Sequence, residues 1–423
     1  MATPVKTTPL NDWHRQHGAN MADFGGYDMP LWYSSVKDEH LAVLTGAGMF
    51  DTSHMAAVTV TGPGAAALLQ HCFTNDLDAC MGPSRKPLSP GRCVYGAFLD
   101  EKGGTIDDAI VFFVGADSYM VVVNAGMGAA VADHLRKHLG GRDAAVADLS
   151  DRLGKMDIQG PAAAKILARV LADPKAVFAG MPYFSFKGHF DNASTLADAV
   201  RLDDGTPILL SRTGYTGEFG FEIFLEPDKI QHLWEGLLAA GESYDIKPCG
   251  LAARDSLRAG AVLPLSHQDI GHWPFINHPW PFALPFTADQ TGFTKDFIGR
   301  AALEKQADVA FTLAFVGKDL RKISAGEGSR VIGADGQAIG TVLTCATDMG
   351  IGYHDGGIVS IASPDKPEGF KAKGLCCGFV KVDRKLSVGQ HVDIADSRRT
   401  LTVTIVEDVR PHRTARSPMA DMV

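Results

Sequence analysis

Two adjacent aspartates, Asp107 and Asp108, begin a strand-like run that follows a tight turn. Residues 98–113 are typical of a β-hairpin, and Gly103 and Gly104 suit the positive φ angles of its turn. Because successive side chains of a strand point to opposite faces, we expect the two carboxylates to lie in different environments. Either acid could stand among apolar neighbours, where a carboxylate needs a partner or a chemical task. Solvated acids that flank a turn are the alternative.

Glu222 and Arg254 are the next candidates. Glu222 is a lone acid in the apolar run 221–223, so it is either an edge residue or a ligand group. Arg254 lies four residues before Arg258, so a helix at 250–260 would present both on one face. The structural alternative for Arg254 is a surface ion pair with Asp255 or Glu242.

His54 follows Ser53, a pair that could indicate nucleophilic catalysis. Adjacent strand residues point apart, however, and no third orienting group can be assigned from sequence. A structural, hydrogen-bonded histidine is the favoured interpretation.

The elements that would position these residues indicate an α+β fold of more than one domain. A chain of 423 residues is too long for a single core. We predict an N-terminal α+β part at 1–153, a second α+β part at 154–309, and an all-β unit at 310–423, where turn residues separate strand-length segments. The proline-rich and aromatic stretch 273–286 has no period and is predicted to be a loop or lid.

Composition excludes several classes of function. The formal net charge of −9 argues against nucleic acid as a partner. No run approaches the roughly 18 apolar residues of a membrane span, and the first 15 residues lack a signal peptide's apolar core, so we expect a cytoplasmic protein without membrane partners. The seven cysteines are scattered, which favours reduced core thiols over disulfides or a zinc site.

Five ordered motifs carry a specific resemblance: DFGGYDMPLWY (23–33), GMFDTSHM (48–55), QGP (159–161), GYTGEFGFEI (214–223) and GLAARDSLR (250–258). In this order and spacing, the chain closely resembles the glycine-cleavage T-protein family, the aminomethyltransferases, with their folate-dependent demethylase relatives. The resemblance weakens after about residue 258. It implies a T-protein-like multi-domain folate-binding fold with a small C-terminal β-barrel.

The resemblance also assigns roles to individual residues. Asp107 matches the family's central acid, which would orient tetrahydrofolate and stabilise cationic charge at the transferring carbon while N5 of the folate attacks. Glu222 matches the acid that holds the pterin. Further cofactor-binding positions match Arg254, Tyr95, Asn124 and Met55.

The donor half of the site departs from the family pattern. The glutamates expected after the arginine motif and in the following loop are absent, and aromatic and histidine residues occupy the segment 267–282. Candidate substrate-binding residues are Trp273, Trp280, His278 and Tyr215, because aromatic faces attract methylated cations. The equal alternative is that the rings pack a domain junction. A metal site of His267, His272 and His278 is disfavoured by its irregular spacing, and no metal is predicted.

The sequence therefore predicts a tetrahydrofolate-dependent one-carbon transferase of the aminomethyltransferase type. Its donor would arrive on the lipoyl arm of a carrier protein. The close alternative is a demethylase that acts on a methylated small molecule, and the alternative of another class is a non-catalytic folate-binding accessory protein.

Overall fold

The computed structural model describes residues 5–82, 84–115, 117–191, 200–305 and 309–423. Its strands are β1 (Lys6–Thr7), β2 (Asn20–Phe24), β3 (Tyr27–Trp32), β4 (Gly48–Asp51), β5 (Ala56–Thr61), β6 (Arg92–Leu99), β7 (Thr105–Gly115), β8 (Ser118–Val123), β9 (Ala145–Asp148), β10 (Gly154–Gln159), β11 (Phe186–Gly188), β12 (Leu209–Ser211), β13 (Gly220–Leu225), β14 (Lys247–Pro248), β15 (Phe311–Gly317), β16 (Arg330–Ile332), β17 (Ala338–Asp348), β18 (Ile351–His354), β19 (Gly357–Ser360), β20 (Leu375–Val382), β21 (His391–Ala395) and β22 (Thr400–Val406). Its α-helices are α1 (Asn11–Gln16), α2 (Val36–Thr45), α3 (Ala65–Cys72), α4 (Gly128–Lys137), α5 (Ala163–Leu167), α6 (Pro174–Phe178), α7 (Ile230–Gly241), α8 (Leu251–Gly260) and α9 (Arg300–Glu304).

Two sheets pack face to face around a shared apolar layer. One has five strands in the order β6-β7-β8-β5-β9, and the other has six in the order β11-β12-β13-β10-β4-β14. Phe112 and Met120 of the first sheet lie in one cluster with Leu209 and Phe224 of the second. Because these side chains fill the space between the sheets, polar residues at the edge of the layer are held in fixed positions.

Helices cover the outer faces of both sheets. Along α7 the core-facing side chains Ile230, Leu233, Trp234 and Leu237 recur at helical spacing and pack in one cluster with Met156 and Ile158 of β10. On the five-stranded sheet, α3 and α4 pack with the core side chains of β5 and β8. None of the helices in the described ranges is long and apolar enough to cross a membrane.

The C-terminal strands form a closed antiparallel barrel in the order β15-β20-β17-β16-β21-β22. Its interior is filled by aliphatic side chains such as Val331, Val342, Val380 and Ile405. The predicted α+β class and the C-terminal barrel are therefore confirmed.

A buried ion-pair network ties the barrel to the two-sheet region. The guanidinium of Arg410 donates to Glu218 Oε1 at 3.1 Å and to Asp348 Oδ2. His40 of α2 contacts the other oxygen of Asp348 at 2.9 Å. Burial favours protonation of Asp348, but Arg410 and His40 outweigh it and hold the pKa of this carboxyl well below its usual value.

Two local features bear on the sequence expectations. The hairpin turn falls where predicted, but of its two glycines only Gly103 has a positive φ, of +79°. The expected division at residues 153 and 154 separates two strands that share a sheet, since Met49 of β4 pairs with Ile158 of β10. The first two predicted parts are thus joined through one sheet.

Candidate functional site

Asp107 and Asp108 converge on a single asparagine. The fully buried Asp107 accepts from Asn124 through the backbone N–H at 2.9 Å and through Nδ2 at 2.9 Å. The same Nδ2 donates to Asp108 Oδ1 at 2.7 Å. The expectation that the acids lie in different environments is wrong, because one Nδ2 group donates to both. The ladder around the two acids is regular, since Asp107 pairs with Phe98 and Asp108 with Ala97, and its register shifts only on the turn side of them.

Three further polar side chains, those of Ser266, Tyr95 and His267, contact this carboxylate pair. Ser266 Oγ donates to Asp107 Oδ1 at 2.8 Å, and Tyr95 Oη donates to Asp108 Oδ2 at 2.8 Å. Burial and the neighbouring Asp107 raise the pKa of Asp108 to about 6. The Asp107 carboxylate, 3.6 Å from the half-exposed His267 Nε2, raises the pKa of that imidazole against the opposing effect of partial burial. The pair therefore sits among groups that can exchange a proton near neutral pH.

A second polar cluster lies on the six-stranded sheet, centred on the buried Lys155. Its Nζ contacts Glu222 Oε1 at 2.8 Å, Asp157 Oδ1 at 2.9 Å and Thr52 Oγ1 at 3.1 Å. Arg254 Nη1 donates to the other oxygen of Asp157 at 2.7 Å. Burial favours protonation of Asp157, but Lys155 and Arg254 prevail and lower its pKa. Two cations thus balance two carboxylates in the protein interior.

Arg254 does not form the surface ion pair that was the sequence alternative. Its partner is the buried Asp157, while Asp255 accepts from Arg258 Nη2 at 2.7 Å. The guanidinium of Arg254 also lies 4.9 Å from the centre of the Tyr215 ring. The helical spacing of the two arginines was correctly predicted, but the partner on β10 was not.

Glu222 keeps acceptor capacity in spite of its two contacts. Thr213 Oγ1 donates to its Oε2 at 2.5 Å, and Lys155 occupies one position on Oε1. A carboxylate has about four lone-pair positions, so one remains on each oxygen. The residue can therefore still accept two parallel N–H donors.

Tyr215 connects the two polar clusters. Besides its contact with Arg254, its hydroxyl donates to the Pro264 carbonyl oxygen. Burial raises the pKa of Tyr215, and the charge of Asp108 adds to the effect. Met55 packs against the apolar layer between the sheets. Tyr215 thus lies between Arg254 of one cluster and Asp108 of the other.

His54 is buried beside Phe24, with ring centres 5.6 Å apart in an edge-to-face arrangement. Within the described ranges its Nδ1 has no hydrogen-bond partner, so the expectation of a hydrogen-bonded histidine is wrong for that atom. Burial lowers the pKa of His54 to about 4. The side chain is therefore neutral at physiological pH.

The aromatic segment packs the junction with the barrel. Trp280, only 2% exposed, contacts Phe379 of β20 edge-to-face at 5.3 Å and stacks on His278 at 6.0 Å. Trp273 stacks on the same histidine, with ring centres 5.2 Å apart. Lys381 Nζ lies 4.2 Å from the centre of the Trp273 ring. The cation position on Trp273 is thus filled by the protein, and the geometry follows the junction alternative rather than a methyl-cation cage.

The three histidines of this segment have separate surroundings. His267 faces Asp107, His278 is buried against the two tryptophans, and His272 is exposed. Phe282, at 60% exposure, lies outside the packed junction with its ring centre 5.7 Å from that of Tyr95.

Sequence reasoning missed Lys155, Asp157 and Ser266. A signal for the first two was present, because residues 154–159 alternate the polar Lys155, Asp157 and Gln159 with apolar residues on a strand buried along its length. Ser266 carries no comparable signal, since it reaches Asp107 from a loop 159 residues along the chain.

Comparisons with known proteins identify the family of this chain. Residues 10–273 match the family model described as the GCVT N-terminal domain. The aminomethyltransferase of Streptomyces coelicolor is 36% identical over 364 residues, covering 83% of this chain and 88% of that protein. The aminomethyltransferase of Bacillus cytotoxicus is 40% identical over 301 residues, covering 71% and 75% respectively. The crystal structure of glycine cleavage system aminomethyltransferase T from Bartonella henselae superposes with a TM-score of 0.72 at 28% identity, covering 95% of this chain and 97% of that one. The chain therefore belongs to the aminomethyltransferase family of the glycine-cleavage T-proteins.

Proposed function

We propose that this enzyme transfers an aminomethyl group to N5 of tetrahydrofolate, with the pterin held by Glu222 and the reacting carbon beside Asp107. The observation that carries the proposal is that two buried carboxylate clusters flank Tyr215, which lies against Arg254 of one cluster and feels the charge of Asp108 of the other. One cluster is held by Lys155 and the other by Asn124. A cofactor with a polar ring edge and a separate reacting nitrogen requires such a pair of sites.

Glu222 is the pterin-binding group in this proposal. The 2-amino and ring N–H groups of a pterin are parallel donors, which a carboxylate with one free position on each oxygen accepts well. Lys155 and Thr213 fix the orientation of Glu222 before the cofactor binds. Such preorganisation reduces the entropy lost on binding. Arg254 would contact the folate while Asp157 holds its guanidinium in place.

Asp107 acts on the transferring carbon. As N5 attacks, a first carbon–nitrogen bond to folate would form while the carbon–nitrogen bond to the departing amine breaks and ammonia takes up the N5 proton. The second folate nitrogen, N10, would then bond to the same carbon as the carbon–sulfur bond to the lipoyl arm breaks, and its proton would pass to the released thiol. Positive charge develops at the carbon, and a fixed carboxylate stabilises it. Asn124 and Ser266 hold Asp107 through three hydrogen bonds at 2.8–2.9 Å, so little reorganisation is needed. Asp108, with a pKa of about 6, can assist the proton transfer that accompanies amine departure.

The aminomethyl donor would arrive on the lipoyl arm of a carrier protein. Support comes from the Bartonella relative, whose description places it in the glycine cleavage system. The demethylase alternative loses its main structural argument, because Trp280 is buried and Lys381 occupies the face of Trp273. A purely accessory role would not require the carboxylate pair at Asn124.

The test is an assay with tetrahydrofolate and an aminomethylated lipoyl carrier, in which ammonia and the methylene-folate product are measured together. We expect both products in equal amounts. Absence of turnover with competent carriers, in a preparation that still binds tetrahydrofolate, would refute the donor assignment. Glu222→Ala should weaken folate binding by about 1–3 kcal/mol, since pterin donors would be left unpaired in a buried site. Unchanged binding in this variant would place the pterin elsewhere.

A further inference from the structure

A cluster of one thiol and two imidazoles lies outside the site described above. Cys72 is the last residue of α3, His134 lies within α4, and His138 immediately follows α4. One potential ligand atom from each residue lies within 4.8 Å of the other two. His134 and His138 are four residues apart, so they share a helical face, and α3 brings Cys72 to that face.

The hydrogen bonds of the two histidines leave nitrogens free to bind a metal. His138 Nδ1 lies 2.8 Å from the His134 carbonyl oxygen. If Nδ1 donates this bond, Nε2 carries the lone pair, which is the tautomer that such a contact selects in metal-binding histidines. His134 Nε2 is buried and has no hydrogen-bond partner in the described part of the chain. An unpaired buried nitrogen costs stability unless a ligand occupies it.

Two cations lie near this cluster, and each is held by backbone carbonyl oxygens. The guanidinium of Arg142 donates to the His138 carbonyl oxygen, and Lys295 Nζ donates to those of Gln70 and Phe73. A metal ion that binds the Cys72 sulfur must displace the thiol proton.

We propose that Cys72, His134 and His138 form a binding site for a thiophilic divalent metal ion of the zinc class. Zinc accepts a thiolate at about 2.3 Å and imidazoles at about 2.0–2.1 Å, which places tetrahedral ligand atoms about 3.3–3.6 Å apart. The three ligand atoms, now within 4.8 Å of one another, would therefore close by up to about 1.5 Å. Binding forms one metal–sulfur and two metal–nitrogen bonds, and the thiol proton passes to solvent. The fourth position is open to water or to His71, whose ring centre lies 6.0 Å from that of His138.

Such an ion would link two helices that cover the sheet carrying Asp107. His134 contacts the ring of Phe98 at 6.1 Å, and Phe98 pairs with Asp107 in the β-ladder. The inference does not depend on aminomethyl transfer. A metal bound here would stabilise the native state and would leave the two carboxylate clusters intact.

The experiment titrates the reduced, metal-free full chain with Co²⁺ alone and then displaces it with Zn²⁺. We expect one equivalent of Co²⁺ to bind with a near-ultraviolet thiolate charge-transfer band, with release of about one proton per site. Cys72→Ser should remove the band and weaken Zn²⁺ binding at least about tenfold, and His134→Gln should also weaken binding. Cys80→Ser, which changes a partly buried thiol in the segment after α3, is the matched control and should behave as the wild type.

Thermal unfolding of each metal-free variant verifies that it is folded. Zn²⁺ should raise the melting temperature of the wild type and of Cys80→Ser, but not that of Cys72→Ser. Equal Co²⁺ spectra in the wild type and Cys72→Ser would overturn the proposal, as would the absence of stoichiometric Co²⁺ and Zn²⁺ binding to the wild type. If Cys72→Ser does not fold, His134→Gln provides the same comparison.

Discussion

Lys155→Met tests whether the cluster on the six-stranded sheet is a balanced charge network. Lys155 Nζ contacts Glu222, Asp157 and Thr52 at 2.8–3.1 Å, and the side chain is 1% exposed. Methionine has a similar shape but leaves two buried carboxylates with Arg254 as their one cation in this cluster. Removing one partner of a buried pair costs about 3–5 kcal/mol, so the free energy of unfolding should fall by that amount at pH 8.

The loss should depend on pH in a defined direction. Without Lys155, the pKa of Glu222 or Asp157 in the folded state rises above its unfolded value of about 4, so the folded state binds the extra proton. Stability then falls as pH rises from about 4 through the raised pKa, by up to about 1.4 kcal/mol per pH unit for one group. The variant should therefore be closer to the wild type at pH 5.5 than at pH 8.

Urea unfolding at the two pH values, followed by tryptophan fluorescence, measures this difference. Lys155→Met/Glu222→Gln is the matched control, because the second change removes one of the two stranded charges and should restore part of the stability. A Lys155→Met protein with the wild-type midpoint at both pH values would refute the network. So would a double variant that is less stable than the sum of its single changes.

Three other predictions address separate parts of the molecule. An imidazolium at His267 would repel the cationic carbon beside Asp107, so the wild-type rate should rise with pH as His267 loses its proton, at a pKa above 6.5. His267→Gln should lose this rise in the kcat–pH profile, and an unchanged profile would contradict the prediction. Arg410→Met should lower the free energy of unfolding by about 3–5 kcal/mol, because the buried carboxylates of Glu218 and Asp348 lose their shared cation. A loss below about 1 kcal/mol in chemical denaturation would contradict the network. Trp280→Ala should lower the free energy of unfolding by about 3–5 kcal/mol, because it removes the ring that packs on Phe379, and folate affinity measured by calorimetry should not change. A variant of full stability that loses only the use of the donor would instead support a cage for methylated cations.

The sequence predicted elements with strong local signals. The helix at 250–260 is observed as α8, Leu251–Gly260, and the hairpin at 98–113 is observed as β6, Arg92–Leu99, and β7, Thr105–Gly115. Glycine marks the start of the helix at Gly250 and the hairpin turn at Gly103, so local sequence determines both. The all-β character of the C-terminal unit was predicted from its strand-length segments separated by turn residues, and the barrel was predicted from the family resemblance alone.

Contacts between distant segments could not be predicted in this way. Arg254 was expected beside neighbours on its own helix, but its partner Asp157 lies 97 residues away. Asp107 and Asp108 were expected to diverge, but the Nδ2 group of Asn124, just after β8, donates to both. Alternation orients the side chains of one strand, and it does not predict a residue from another part of the chain that bridges them.

The most direct test of the account compares the wild type with Asp107→Asn in two measurements on the same preparation: tetrahydrofolate binding by calorimetry and single-turnover aminomethyl transfer. Asparagine preserves the size of a side chain that is fully buried and bonded to Asn124 and Ser266, but it removes the negative charge beside the reacting carbon. We predict that the folate dissociation constant changes little while the transfer rate falls by about 10²–10³, as expected when one electrostatic stabiliser of a transition state is lost. A variant that transfers at the wild-type rate, or one that loses folate binding and transfer in equal proportion, would contradict the role assigned to Asp107.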